Sequence, residues 1–187
     1  MYKFEKNQVL KKYLILYRPF LVFLAKFFLT YLVLSLVYQG FLSRFDENSV
    51  DSITQFVANN TMQLLTAFQV DFKIQEMPNA SFVMFLYNQR AVARMIEGCN
   101  AISVIILFVS FVVAFSGKLK PTLLFVSGGS IFIYTLNVVR IALLCSALYW
   151  FPEQKDLLHD IVFPLFIYGV VFTLWVIWVN KFSLYAK

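Results

Sequence analysis

The chain has 187 residues, of which 60% are hydrophobic and only 14% are charged. Soluble domains are closer to half apolar and a quarter charged, so this composition excludes a cytosolic enzyme, a disordered tail and a disulfide scaffold. The formal net charge of +6 does not indicate nucleic-acid binding, because the basic residues lie at the ends of apolar runs, as membrane topology signals do. The sequence therefore predicts a polytopic membrane protein.

Four apolar stretches are long enough for helices that cross a membrane, which takes about 20 residues. They cover residues 20–41, 97–116, 123–148 and 161–179. A basic segment, 1–19, precedes the first stretch, and no small-residue cleavage site follows it, so we interpret this span as an uncleaved signal anchor. The predicted fold is a single, all-α membrane-embedded domain with about four transmembrane helices.

The distribution of charge predicts the orientation of these spans. With the N-terminus inside, the inner segments are 1–19, the short loop between the second and third spans, and 180–187. They are rich in lysine, and Glu5 is their only acidic residue, whereas the other carboxylates lie in the outer segments, mainly 42–96 and 149–160. The positive-inside rule therefore predicts that both termini are cytoplasmic.

The outer segment 42–96 begins with apolar residues at roughly helical spacing, which are Val50, Ile53, Val57, Leu64 and Phe68. This spacing predicts an amphipathic helix that lies on the outer membrane surface. Beyond it, apolar and polar residues alternate over 70–75, the turn residues Pro78-Asn79 follow, and a second short apolar run covers 81–87. The pattern predicts a short β-hairpin that leads into the second span.

Three chemically active side chains are predicted at one level near the outer surface. Cys99 and Arg140 each lie about 20 residues from Lys118 and Lys120, the lysines that mark the inner ends of their helices. At about 1.5 Å per residue, each is about 30 Å above that boundary. His159, at the outer end of the fourth span, is about 33 Å up by the same measure.

A cysteine, a histidine and an arginine at one level offer a nucleophile, a proton shuttle and a fixed cation. A neighbouring cation favours the thiolate, which is the nucleophilic form of cysteine. Arginine keeps its charge and suits the stabilisation of a tetrahedral oxyanion. Four neighbours are candidates for orienting or tuning these groups: Glu97, Asn100, Asn137 and Asp160.

Each of these residues also has a purely structural interpretation. A buried cysteine is usually a small hydrophobic residue, and we interpret Cys145 in this way because its neighbours are apolar. Arg140 could extend to the membrane interface or pair with Glu97, and His159 could be a solvated loop residue. With two cysteines and one histidine in the chain, neither a zinc cluster nor a multi-histidine metal site is expected, and we predict no cofactor.

Three short motifs resemble those of the exosortase/archaeosortase family, which are multi-pass membrane proteins proposed to be cysteine transpeptidases. The motifs are Glu97-Gly98-Cys99-Asn100-Ala101-Ile102, Asn137-Val138-Val139-Arg140-Ile141 and His159-Asp160. The resemblance implies that Cys99 is the nucleophile, Arg140 the partner of the oxyanion or thiolate, and His159 the acid and base. Asn100-Ala101 stands where the family usually has Ser-Gly, and the chain has fewer spans than many members, so it is most similar to the compact subtype called exosortase F.

The resemblance implies an enzyme of the bacterial cytoplasmic membrane that cleaves C-terminal sorting signals of secreted proteins at the outer face. The implied partners are the sorting-signal helix of the substrate, an acceptor in the envelope (a lipid or glycan) and membrane lipids. From the residues alone, two other functions stay open: a non-enzymatic scaffold or assembly subunit, and a cysteine hydrolase that acts without transfer. A transporter is disfavoured because the sequence has no obvious inverted repeat.

Overall fold

The computed structural model describes residues 15–46, 48–77, 80–115 and 117–183. Its helices are α1 (Arg18–Leu42), α2 (Ser52–Ala67), α3 (Ile102–Ala114), α4 (Leu119–Trp150) and α5 (Phe163–Lys181), and its strands are β1 (Phe72–Glu76), β2 (Phe82–Tyr87) and β3 (Arg90–Ile96). A 3-10 turn, Glu97–Cys99, joins β3 to α3, and a second one, Pro152–Gln154, follows α4. A π-helix, Leu157–Val162, leads directly into α5.

Three helices are long and apolar enough to cross a membrane. They are α1, α4 and the continuous helix Leu157–Lys181, which contains α5. They correspond to the predicted spans 20–41, 123–148 and 161–179, and they indicate a membrane-embedded protein. Most of the predicted cytoplasmic segment 1–19 and the end of the predicted tail 180–187 lie outside the described residues.

The second predicted span, 97–116, is shorter in the structure than expected. Its helix, α3, has 13 residues, or about 20 Å at 1.5 Å per residue, whereas the hydrocarbon core is about 30 Å thick. The preceding residues cannot extend the helix because Ala101 has a left-handed backbone conformation, with φ at 69°. The helix is therefore shorter than the predicted span, and Cys99 lies before its start, so helical rise alone does not give the depth of this cysteine.

Aromatic rings hold α3 against the long helices. The ring of Phe108 covers Gly129 of α4 so closely that an added Cβ would clash with it. Phe111 stacks on Trp175 of α5 with ring centroids 4.2 Å apart, and the ring of Phe23 in α1 meets Phe111 edge-on at 6.0 Å. A small residue at a helix crossing allows this close approach, so Gly129 positions α3 within the bundle.

The three strands form one antiparallel sheet in the order β1-β2-β3. Strands β1 and β2 form the predicted hairpin, whose turn residues 78–79 lie outside the described residues. The third strand was not predicted: the fold is mostly helical, as expected, and its sheet has one strand more than the predicted hairpin. Strand β3 follows β2 through a two-residue turn, Asn88-Gln89, in which both residues have the positive φ of a type I′ turn.

One face of the sheet, α2 and the C-terminal half of α4 enclose an apolar core. The predicted helix after residue 50 is present, and Asp51 caps it by accepting hydrogen bonds from the amides of Ile53 and Thr54 at 3.0 and 2.9 Å. Its apolar face packs on the sheet and on α4. The buried core residues include Val57, Leu65, Val83, Phe85, Met95, Val138, Ile141 and Cys145.

The predicted outer loop 149–160 is largely helical. Pro164 has no N–H to donate to the carbonyl of Asp160, so the helix widens. The amide of Phe163 bonds instead to the carbonyl of Leu158, five residues earlier, as in a π-helix. His159 therefore lies on a helix that continues into α5 and not in a loop, although its side chain is partly exposed.

Candidate active site

A cavity of about 590 Å³ lies between the sheet, the C-terminal half of α4 and the π-helix before α5. Cys99, Arg140 and His159 all line it. Cys99 ends the 3-10 turn after β3, Arg140 lies on α4, and His159 lies on the π-helix. The fold thus brings together, from three elements, the residues predicted as nucleophile, cation and proton shuttle.

The side chain of Asn137 connects α4 to the backbone of Cys99. Its Nδ2 donates to the Cys99 carbonyl oxygen at 2.9 Å. Its Oδ1 accepts a hydrogen bond at 3.2 Å from Nη1 of Arg140, one helical turn further along α4. Because Asn137 is only 1% exposed, these two bonds fix the guanidinium and the cysteine segment relative to one another.

Asn100, the residue after the cysteine, is also 1% exposed and fully bonded. Its Nδ2 donates to the hydroxyl oxygens of Tyr38 at 2.8 Å and Thr54 at 3.2 Å. Its Oδ1 accepts from the amide of Ile102 at 3.0 Å and so caps the start of α3. These bonds anchor the segment that carries Cys99 to both α1 and α2.

Ala101 adopts a backbone conformation that residues with a Cβ disfavour. Its φ of 69° lies in the left-handed region, which costs an L-residue about 1–2 kcal/mol. Glycine adopts this conformation readily, and glycine is what the exosortase-type motif usually carries at this position. The conformation turns the chain sharply between Cys99 and α3, which leaves the cysteine at the cavity wall instead of in a helix.

His159 and Asp160 form a pair, as the sequence analysis expected for an orienting carboxylate. Nδ1 of His159 lies 2.6 Å from Oδ1 of Asp160, and the two side chains are 44% and 66% exposed. When Nδ1 donates to the carboxylate, Nε2 is the nitrogen left free to exchange protons. The carboxylate therefore selects one tautomer, while its exposure limits the strength of the pair.

Glu97 does not pair with Arg140. Its carboxylate interacts instead with the hydroxyl of Tyr38, and the ion pairs among the described residues are Lys73–Asp71 and His159–Asp160. Nε of Arg140 is buried and has no hydrogen-bond partner. The structural ion pair considered for this arginine is therefore not formed, and its guanidinium keeps donors beyond the one that binds Asn137.

Other cavity residues were not predicted from the sequence. Arg94 and Lys155 line the cavity, as does the whole of β3 from residue 91 onward. The guanidinium of Arg94 lies 5.3 Å from the centroid of the Phe82 ring. Among the described residues that line the cavity, none is acidic. No local signal marked Arg94, because the same outer segment also carries Arg44, Lys73 and Arg90.

Cys145 also reaches the cavity wall but is completely buried in the apolar core, which agrees with its interpretation as a small hydrophobic residue. Within the described part of the chain, no three His, Cys, Asp or Glu side chains meet as metal ligands. The cavity thus presents the thiol of Cys99 and the imidazole of His159 together with the cationic groups of Arg94, Arg140 and Lys155. No protein-family model, curated protein or solved structure matches this chain, so function has to be argued from the site itself.

Proposed function

We propose that this protein is a membrane-embedded cysteine peptidase or transpeptidase of the exosortase type. The observation that carries the proposal is that Cys99, Arg140 and His159 line one cavity although they lie on three separate elements. They are also the residues that the three exosortase-like motifs single out. A purely structural role for each residue gives no reason for the three to share a cavity.

In the first step, His159 takes the proton of the Cys99 thiol, and the resulting thiolate attacks the carbonyl carbon of the scissile amide. A C–S bond forms, and the carbonyl π electrons move to oxygen to give a tetrahedral oxyanion. The guanidinium of Arg140 donates hydrogen bonds to this oxyanion and keeps its own protons. The oxyanion then collapses, the C–N bond breaks, and His159 supplies a proton to the departing amine.

In the second step, the thioester on Cys99 is attacked by an amine of the acceptor or by water. His159 accepts a proton from the incoming nucleophile, the C–S bond breaks, and the cysteine is regenerated. Asp160 holds the imidazole in the tautomer that both steps need. Asn137 keeps the Cys99 backbone and Arg140 at a fixed separation through both steps.

The proposed substrate is a secreted protein whose C-terminal sorting signal consists of a short motif, a transmembrane helix and a basic tail. The three apolar helices support a membrane location for the enzyme, where such a substrate would present the bond next to its own helix. We propose that the enzyme resides in a bacterial cytoplasmic membrane with both termini inside and the cavity outside. The acceptor would be a lipid or glycan of the envelope.

The test compares the C-termini of secreted proteins by mass spectrometry in cells that express the wild type, Cys99→Ala or Cys145→Ala. We expect Cys99→Ala to abolish processing and Cys145→Ala to retain it, with equal abundance of both variants in the membrane. The mass of the processed C-terminus separates transfer, which adds an acceptor, from hydrolysis, which does not. Normal processing by Cys99→Ala would exclude covalent catalysis and favour a scaffold.

A further inference from the structure

Strand β3 is an edge strand. It pairs with β2 on one side, and no strand among the described residues pairs with its other side. An edge of this kind presents a row of unpaired backbone N–H and C=O groups, which proteins normally cover or block. The edge of β3 is thus a potential partner for another extended chain.

The cavity follows this edge strand. Every residue of β3 from Ala91 to Ile96 lines it. Alternate side chains of a strand point to one face of the sheet, and the backbone between them also borders a cavity there. Met84 and Phe85 of the neighbouring strand β2 line it as well. The cavity therefore runs beside β3 over most of the length of the strand.

The same edge leads to the candidate nucleophile. Strand β3 ends at Ile96, and the turn Glu97–Cys99 follows it directly. The facing wall of the cavity is α4, which carries Arg140. A chain that lay along β3 would therefore pass between the sheet and α4 and would reach Cys99 at one end.

We propose that the substrate binds as an added strand on the free edge of β3 and that this pairing delivers its scissile carbonyl to Cys99. The inference rests on the proposed function and specifies how that enzyme holds its substrate. An extended polypeptide fits the edge because it alternates N–H and C=O groups at the repeat of a strand, which a lipid headgroup or a glycan does not. The basic lining of the cavity, with Arg94 and Lys155, favours a neutral or acidic segment.

The test uses a peptide tethered to Cys99 and does not require turnover. The full-length Cys145→Ala chain in detergent micelles is treated with a peptide of about six alternating valine and threonine residues. The peptide ends in a thiol activated as a pyridyl disulfide, so the Cys99 thiolate attacks the peptide sulfur and releases thiopyridone. Hydrogen exchange of residues 90–96 is then followed by mass spectrometry. We expect amide exchange on β3 to slow by about tenfold, the effect of added backbone hydrogen bonds.

Two matched peptides provide the control. Each is N-methylated on alternate residues, one on the odd set and one on the even set, so that they have equal size and composition. In an added strand only one set of N–H groups faces β3, so one peptide should lose the protection and the other should keep it. Equal protection from both peptides, or none from the unmodified one, would overturn strand addition.

The outcomes also separate this inference from the proposed function. In one outcome, Cys99 reacts with the peptide but the β3 amides are not protected from exchange, and Cys99→Ala abolishes processing in cells. This outcome contradicts strand addition and supports the proposed enzymatic function. If the peptide fails to form a disulfide with Cys99, the thiol is not accessible from the cavity, and both proposals are contradicted.

Discussion

Nδ2 of Asn137 donates a hydrogen bond to the Cys99 carbonyl oxygen at 2.9 Å, and so a buried amide on α4 holds the backbone of a turn 38 residues earlier in the chain. The same amide accepts from Arg140. Since both polar atoms of the amide are used, no other side chain of its size can replace it. The position of the thiol relative to the guanidinium therefore depends on one asparagine.

The first prediction follows from this bond. Asn137→Asp keeps an acceptor for Arg140 but loses the donor to Cys99 and places a carboxylate against the carbonyl oxygen. We expect substrate cleavage to fall by about 100-fold, because misplacing a reacting group by about 1 Å has an effect of that size. Cleavage and membrane abundance are measured beside Asn180→Asp, an exposed position at the end of α5. Equal activity of the two variants would contradict the positioning role.

Arg140→Lys keeps the positive charge but loses the planar fork that binds two acceptors at fixed geometry. If the guanidinium binds the oxyanion, we expect cleavage to fall by about 100- to 1000-fold, the usual cost of one oxyanion donor. An arginine that merely reaches the membrane interface should accept lysine without loss. Arg90→Lys, on the exposed start of β3, is the matched control. Wild-type cleavage by Arg140→Lys, at normal abundance, would remove Arg140 from the mechanism.

Ala101→Gly should stabilise the protein. The substitution removes the left-handed strain of about 1–2 kcal/mol at φ 69°. Glycine has more conformational freedom in the unfolded chain, which lowers stability by about 0.5–1 kcal/mol. The expected net gain is up to about 1.5 kcal/mol, measured as a higher Tm in detergent. Ala147→Gly, in the body of α4, should instead cost about 1 kcal/mol. A lower Tm for Ala101→Gly would show that this backbone conformation carries no strain.

The charge of the cavity should govern the reactivity of Cys99 toward small thiol reagents. Because the charged residues that line the cavity are basic, an anionic methanethiosulfonate should react about tenfold faster than a cationic one, after correction for their rates with a free thiol. Arg94→Glu should reduce this preference. Mass spectrometry reports both cysteines, and buried Cys145 serves as the internal control. Equal rates for the two reagents would mean that Cys99 is reached by another route.

Two neighbouring glycines on α4 provide a test of the helix packing. An added Cβ at Gly129 would meet the Phe108 ring, whereas at Gly128 it would meet no atom within 4 Å. We expect Gly129→Ala to destabilise the protein by about 1–3 kcal/mol, as overpacking does, and Gly128→Ala to be neutral or slightly stabilising. Thermal unfolding of the two variants measures the difference. Equal Tm values would contradict the close crossing of α3 and α4.

The parts of the fold that follow from local pattern were predicted from the sequence. The length of the apolar runs gave the three long helices, and the alternation of apolar and polar residues gave β1 and β2. The third strand was missed because its turn, Asn88-Gln89, lacks the glycine that usually marks a type I′ turn. The shortness of α3 was missed because hydropathy does not report a left-handed residue such as Ala101.

In the candidate site, too, the residues with a local signal were predicted and the others were missed. Cys99, Arg140 and His159 were chosen because reactive groups at the ends of apolar helices are unusual, and all three line the cavity. Arg94 and Lys155 were missed because their positions depend on how the sheet packs against α4, which no local pattern encodes. The π-helix that carries His159 was missed for a related reason, since the effect of Pro164 on the preceding turn depends on the helix that continues beyond it.

The network around Asn100 has a consequence for biosynthesis. The hydrogen bonds that fix the segment with Cys99 come from α1, α2 and α4, and His159 lies on a helix that is synthesised after all three. A nascent chain therefore contains the cysteine together with Tyr38 and Thr54 well before it contains Asn137 and His159. If Cys99 is the nucleophile, the chain is inert throughout translation and membrane insertion, and it becomes competent only once Leu157–Lys181 has joined the bundle.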